Sequence, residues 1–176
     1  MTPPRSDYAW LAGTYWYCPA PCMPALRTLP GNRFERVVDQ TVWAIAGYAD
    51  GYFWGVASAL VTPPGSPPDP SAKNDMTLFA SVTPQGQVHI TFVHGDGSTT
   101  VGTGTIGTGV VTTDGEPRFE MQMSSGAGPV LVVHWAYMQR IERDDPQWHR
   151  LPGAGVSVDA MVGDIAVPTA VNPHGD

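Results

Sequence analysis

The chain has 176 residues, of which 42% are hydrophobic and only 14% charged, with a formal net charge of −7. That length suits one domain able to bury a full core without disulfide or metal staples. Nine Lys and Arg, with Lys73 the single lysine, form no basic cluster, which argues against nucleic acid and an anionic membrane surface as partners.

The opening, MTPPRSDYAW, holds no apolar run and no small-residue cleavage site, so it reads as a native start rather than a secretory signal. No window approaches the roughly 20 apolar residues that a spanning helix needs. The expectation is a soluble, cytoplasmic protein.

Twenty glycines and eighteen prolines fall between short runs rich in Val, Thr, Phe, Tyr and Trp, the punctuation of an all-β chain. In chain order the runs predict strands at about 11–18, 33–38, 41–48, 52–61, 76–83, 86–94, 98–106, 109–113, 117–124 and 129–141. Ala49-Asp50-Gly51 and Pro84-Gln85-Gly86 carry hairpin chemistry, and Asp96-Gly97 and Asp114-Gly115 mark further reversals. Asp39 and Gln40 fall between two of these runs, where an aspartate is a local capping group or a carboxylate at a cavity rim. The segment 62–75 holds five prolines and reads as a surface loop at a barrel mouth or a lid. After 141 a Pro/Gly-rich tail begins, and Val156–Ile165 can hold one short helix capped by Ser157 or Asp159.

No stretch before position 140 has helical spacing of apolar residues, which argues against a βαβ sheet. Consecutive strands joined by short turns predict an antiparallel up-and-down barrel of about 8–10 strands, or a sandwich. The predicted unit is one domain over 1–176, with the barrel over about 9–141 and a tail over 142–176.

Gly13-Thr14-Tyr15-Trp16-Tyr17, followed by hairpins, resembles the first strand of calycin barrels such as lipocalins and avidins. Those families often begin with a glycine, a spacer and an aromatic that packs across the barrel floor; here Gly13 and Tyr15 hold those places, with Trp16 one step later. Tyr stands where Trp is usual, and no Thr-Asp-Tyr motif follows. Arg140 is the nearest counterpart of the arginine that lipocalins carry near their last strand. The resemblance implies a lipocalin-like barrel with an internal site and carries no ligand with it.

Alternation along PVLVVHWAYMQRI sets His134 among Val132, Ala136 and Met138, while Trp135 and Tyr137 take the other face. An imidazole in such surroundings is either an acid or base or a hydrogen-bonded core residue. On PRFEMQMSS, Glu120 and Gln122 share one face, with Met121 and Met123 on the other. If the polar face points inward, Glu120 can orient His134; otherwise it meets water and the methionines fill the core or line the ligand site. His89 reads as a surface residue, His94 as a turn residue, and His149 and His174 fall in the tail. Their spacing demands no metal, and no cofactor motif is present.

Cys18 and Cys22 read as free thiols in a reducing compartment, and the glycine-rich TVGTGTIGTG as a strand where backbone or ligand approaches closely. The aromatics Tyr15, Trp16, Tyr17, Trp43, Tyr52, Trp54, Trp135 and Tyr137 exceed what a small core requires, and they can wall a slot for a flat organic molecule. Two functions fit. One is a cofactor-free enzyme of isomerase, cyclase, dehydratase or decarboxylase type acting on an apolar or aromatic substrate. In it His134 and Glu120 serve as acid or base, and the Tyr15 and Tyr17 hydroxyls orient the substrate. The other is a carrier or sensor of a small hydrophobic molecule. A low-charge surface that pairs two barrels into a homodimer is a third reading.

Overall fold

The computed structural model describes residues 8–107, 115–125 and 131–169. Its strands are β1 (Thr14–Tyr17), β2 (Pro24–Leu29), β3 (Arg33–Ala49), β4 (Tyr52–Thr62), β5 (Asn74–Val82), β6 (Gln87–His94), β7 (Thr99–Gly107), β8 (Arg118–Ser125) and β9 (Val132–Ile141). Each strand from β2 to β9 pairs antiparallel with the next, and β9 returns to both β1 and β2. The two short strands share one position in the wall. β1 lies against Val42–Ile45 of β3, β2 lies against Arg33–Val38, and both face β9. The result is a closed barrel of eight positions.

The turn chemistry explains the register. β3 and β4 meet at Ala49↔Tyr52 around Asp50 and Gly51, both at positive φ (49° and 89°), the two-residue turn whose twist matches paired strands. Two elements differ from the sequence reading. The runs 33–38 and 41–48 are one continuous strand, so Asp39 and Gln40 lie in mid-strand rather than in a turn. β2, unexpected because of the prolines around it, forms as the second half of a broken first strand. The run predicted at 109–113 lies outside the described residues.

Alternation then builds two apolar layers. Inward-facing Trp16, Trp43, Phe53, Leu78, Ile90, Phe119, Met121 and Met138 are fully buried and fill the barrel. Phe119 lies at the centre, with ring centroids 4.6 Å from Trp16, 5.2 Å from Trp43 and 6.0 Å from Phe53. Leu11, in a single 3-10 turn (Ala9–Leu11), closes this end, and Thr14 ties it down by donating to the Leu11 carbonyl and accepting from Trp16 Nε1 at 2.8 Å. Outside the wall, α1 (Pro146–His149), α2 (Val158–Val162) and the segment between them cover β3 and β4 with Trp148, Val158, Met161 and the intervening Leu151. Ser157 caps α2 by accepting from Ala160 N–H at 3.1 Å. No helix among the described residues is long and apolar enough to cross a membrane.

Glycines in β7 let it sit close to its neighbours. A Cβ at Gly104 would fall 1.9 Å from the Glu120 carbonyl oxygen, and one at Gly102 would fall 2.8 Å from Ile90 Cγ2. The close approach expected of this segment is to protein atoms.

Candidate functional site

The barrel is filled at one end and open at the other. Above Phe92, Met76 and Met123 lies a cavity of about 680 Å³ at the mouth, within the range of small-molecule sites. The proline-rich segment between β4 and β5 leads to its rim, where Lys73 donates to Asp75 at 2.8 Å and to the Met161 carbonyl of α2 at 3.0 Å. Asp75 also accepts from Ser58 at 2.8 Å.

Two histidines face this cavity, and they differ. His94 is fully engaged: Nδ1 lies 2.7 Å from Asn74 Nδ2 and Nε2 lies 2.8 Å from Thr100 Oγ1. An amide nitrogen can only donate, so Nδ1 accepts and Nε2 carries the proton given to Thr100. His134, 7% exposed, has a buried Nδ1 with no hydrogen bond. That nitrogen lies 3.4 Å from Oδ2 of Asp39, itself only 6% exposed. The other carboxylate oxygen of Asp39 accepts from Thr41 Oγ1 at 3.1 Å. Burial pushes the Asp39 carboxyl above its usual range, with His134 and the Thr41 hydrogen bond pulling the other way.

β3 and β9 bring this pair together without touching each other there. β9 pairs with β1 only up to Tyr17↔Gln139 and with β2 only from Leu26↔Val133, so the first strand is interrupted beside His134. The interruption is the CPAPC segment, whose 3-10 turn (Ala20–Cys22) steps out of the ladder. Gln40 replaces the missing ladder bonds: its Oε1 accepts from Cys18 N–H at 3.0 Å, and its Nε2 donates to the Cys18 carbonyl at 2.9 Å and to the Pro152 carbonyl at 2.8 Å. Both cysteines are free and buried, and burial, aided by Cys22 and Asp39, pushes the Cys18 thiol up, which keeps it protonated.

The other expected site residues fall in three places. Glu120 is exposed on the outer wall opposite Tyr137, so it does not reach His134; Asp39 holds the place expected of it. Tyr15 and Tyr17 also point outward, beneath the C-terminal helices, where Tyr15 packs edge-on against Trp148 at 4.9 Å. Burial raises the Tyr17 hydroxyl pKa, with Asp145 adding to it. Trp16 and Trp43 face inward but belong to the packed floor, and Trp16 rather than Tyr15 is the aromatic that crosses it. Met121 is buried in the same floor, whereas Met123 lines the mouth. Tyr52 and Trp54 border a shallow outer pocket with Phe79, and the Trp54 ring lies over Gly47, where a Cβ would come within 2.3 Å of it. Trp135 and Tyr137 stack edge-on outside, 5.6 Å apart.

His94, Asn74 and Thr100 went unread as site residues, although alternation with Ile90 and Phe92 places His94 on the inward face. Among the described residues no three His, Cys, Asp or Glu side chains are grouped to hold a metal ion.

Fold and site together define a closed eight-stranded antiparallel barrel, the architecture that calycins have, with a ligand-sized cavity at its open end. Compared with family models, curated proteins and solved structures, the chain has no match.

Proposed function

We propose that this protein is a lipocalin-like barrel that binds a small, largely apolar or aromatic molecule in its mouth and performs cofactor-free acid/base chemistry on it. The isomerase, cyclase, dehydratase or decarboxylase types all fit. The observation that carries this reading is the buried His134 Nδ1 facing a buried carboxylate at 3.4 Å on the wall of a cavity with an apolar floor. A proton on Nδ1 aims at Asp39, which fixes the tautomer and leaves Nε2 as the base. When Nε2 takes a proton, the Asp39 carboxylate stabilises the imidazolium, and the sparse water around the pair strengthens that attraction. A substrate that fills the mouth is expected to tighten this contact. The floor of Met76, Phe92 and Met123 takes the apolar body of the substrate, and His94, Asn74 and Lys73 offer polar contacts at the rim.

A carrier needs the same cavity without the pair, and the buried Asp39–His134 pair in the lining favours the enzyme. The test is a thermal-shift screen of flat aromatic and cyclic compounds, with every binder followed by proton NMR for conversion. His134→Gln should keep the fold and the binding and lower turnover by about 10²–10⁴-fold. Conversion at the wild-type rate by that variant, or binders that are never converted, would overturn the catalytic reading.

A further inference from the structure

A second cavity, of about 710 Å³, opens through the barrel wall where the first strand is broken. Its lining comes from both faces of that wall: Leu26, Val133 and Trp135 stand on the outer face, while Cys22, Met123 and His134 belong to the inner one. The outer three are exposed apolar residues (45%, 44% and 56%) in direct succession, with Leu26 and Val133 paired across β2 and β9. Arg36, opposite Leu26 on β3, stands at the outer edge of the same groove. It is exposed and has no acidic partner among the described residues, whereas Arg27 is paired with Glu35 and Arg140 with Glu142. Among the described residues Arg36 is the only permanently charged group in the lining, and no carboxylate lines the groove. On a chain of net charge −7 this is a local site for an anion beside an apolar channel.

We propose that the groove is a second ligand site, entered from the outer wall and meeting the mouth lining at Met123 and His134, for a monomeric apolar carboxylic acid. The acid's carboxylate pairs with the Arg36 guanidinium, a fork suited to two parallel N–H···O bonds. Its hydrocarbon chain lies over Leu26, Val133 and Trp135 and turns inward through the break toward Met123. The groove shares Met123 and His134 with the mouth lining, but the proposal does not rest on the acid/base reading of His134.

Decanoate, below its micelle concentration, is the probe, with decan-1-ol as the uncharged analogue of equal chain length. Decanoate should change the tryptophan emission of the full chain, and Trp135→Phe should remove most of that change. Arg36→Gln should weaken decanoate about tenfold, to the level of decan-1-ol, with Arg36→Lys restoring part of the affinity, as loss of one charge-assisted pair predicts. Val61→Trp, which fills the mouth from β4, should leave decanoate binding unchanged. The proposal is overturned if decanoate does not bind, if Arg36→Gln binds it like the wild type, or if Trp135→Phe keeps the full signal. Loss of binding in Val61→Trp would also overturn it by moving the acid to the mouth. None of these results bears on whether His134→Gln loses turnover, so the two readings stand or fall apart.

Discussion

Gln40 is the residue on which the broken first strand depends, and Gln40→Leu tests that dependence. The side chain is fully buried and bonds Cys18 N–H, the Cys18 carbonyl, the Pro152 carbonyl and, at 3.6 Å, the Met23 sulfur. Leucine is close in size, so the substitution removes the bonds without opening a large cavity. Cys18 N–H retains a second acceptor, the Thr41 carbonyl at 3.2 Å, but the two carbonyls lose the amide that served them both. Each orphaned carbonyl, that of Cys18 buried and that of Pro152 half-buried, costs about 1–3 kcal/mol, giving about 2–6 kcal/mol for the pair. Burying the leucine methyls returns about 1–2 kcal/mol, which leaves a net loss near 3 kcal/mol. For a chain of this size each kcal/mol moves Tm by about 2–4 °C, so the expected fall is about 6–12 °C by calorimetry. Gln40→Glu keeps the acceptor oxygen and loses the donors, and it should fall at least as far. A drop under about 3 °C for Gln40→Leu would mean that water or backbone relaxation serves those carbonyls, and that the amide is not the staple.

Two further outcomes follow from the interior. Because burial raises the Asp39 carboxyl, the folded state holds that proton to higher pH than the unfolded chain, so unfolding releases it and stability falls as pH rises. Urea midpoints of the wild type should therefore decline relative to Asp39→Asn from about pH 4 upward through the raised value and run parallel beyond it; parallel curves throughout would show that Asp39 is not shifted. Gly104→Ala should cost about 2–4 kcal/mol, because its Cβ would lie 1.9 Å from the Glu120 backbone oxygen and β7 must move away from β8; an unchanged urea midpoint would refute the close approach.

Most of the container was legible because strands announce themselves locally. Turn residues with positive φ at Asp50, Gly51, Gly86 and Gly97 stand where the sequence placed reversals, and alternation set His134 on the inward face. What failed was non-local. Nothing in PALRTL signals that it completes a strand begun at Thr14, since the pairing that makes it one lies on β3 and β9. Reading a turn at Asp39 cut β3 in two and hid the alternation Val37, Asp39, Thr41, Trp43 that would have set its carboxylate inward. Surplus aromatics were read as cavity walls, but a barrel of this width closes its floor with large rings, and Trp16, Trp43, Phe53 and Phe119 are used up in that contact. Glu120 was misplaced for a simpler reason: of the two faces of β8, the methionines take the inner one and Glu120 is left exposed on the outer.

The CPAPC segment ties these observations together. A continuous first strand would pair with β9 beside His134 and seal the wall there. Two prolines in five residues cannot sustain that ladder, so the chain leaves it after Tyr17 and rejoins at Pro24. The cost is carried by one side chain from the facing strand, since Gln40 presents an amide where a peptide group would have stood. Gln40 and Asp39 are adjacent on β3 and point to opposite sides of it. The residue that repairs the break thus fixes the position of the carboxylate that faces His134. Strand alternation alone couples the two, and any change that slips β3 by one residue would exchange the staple for the acid and lose both.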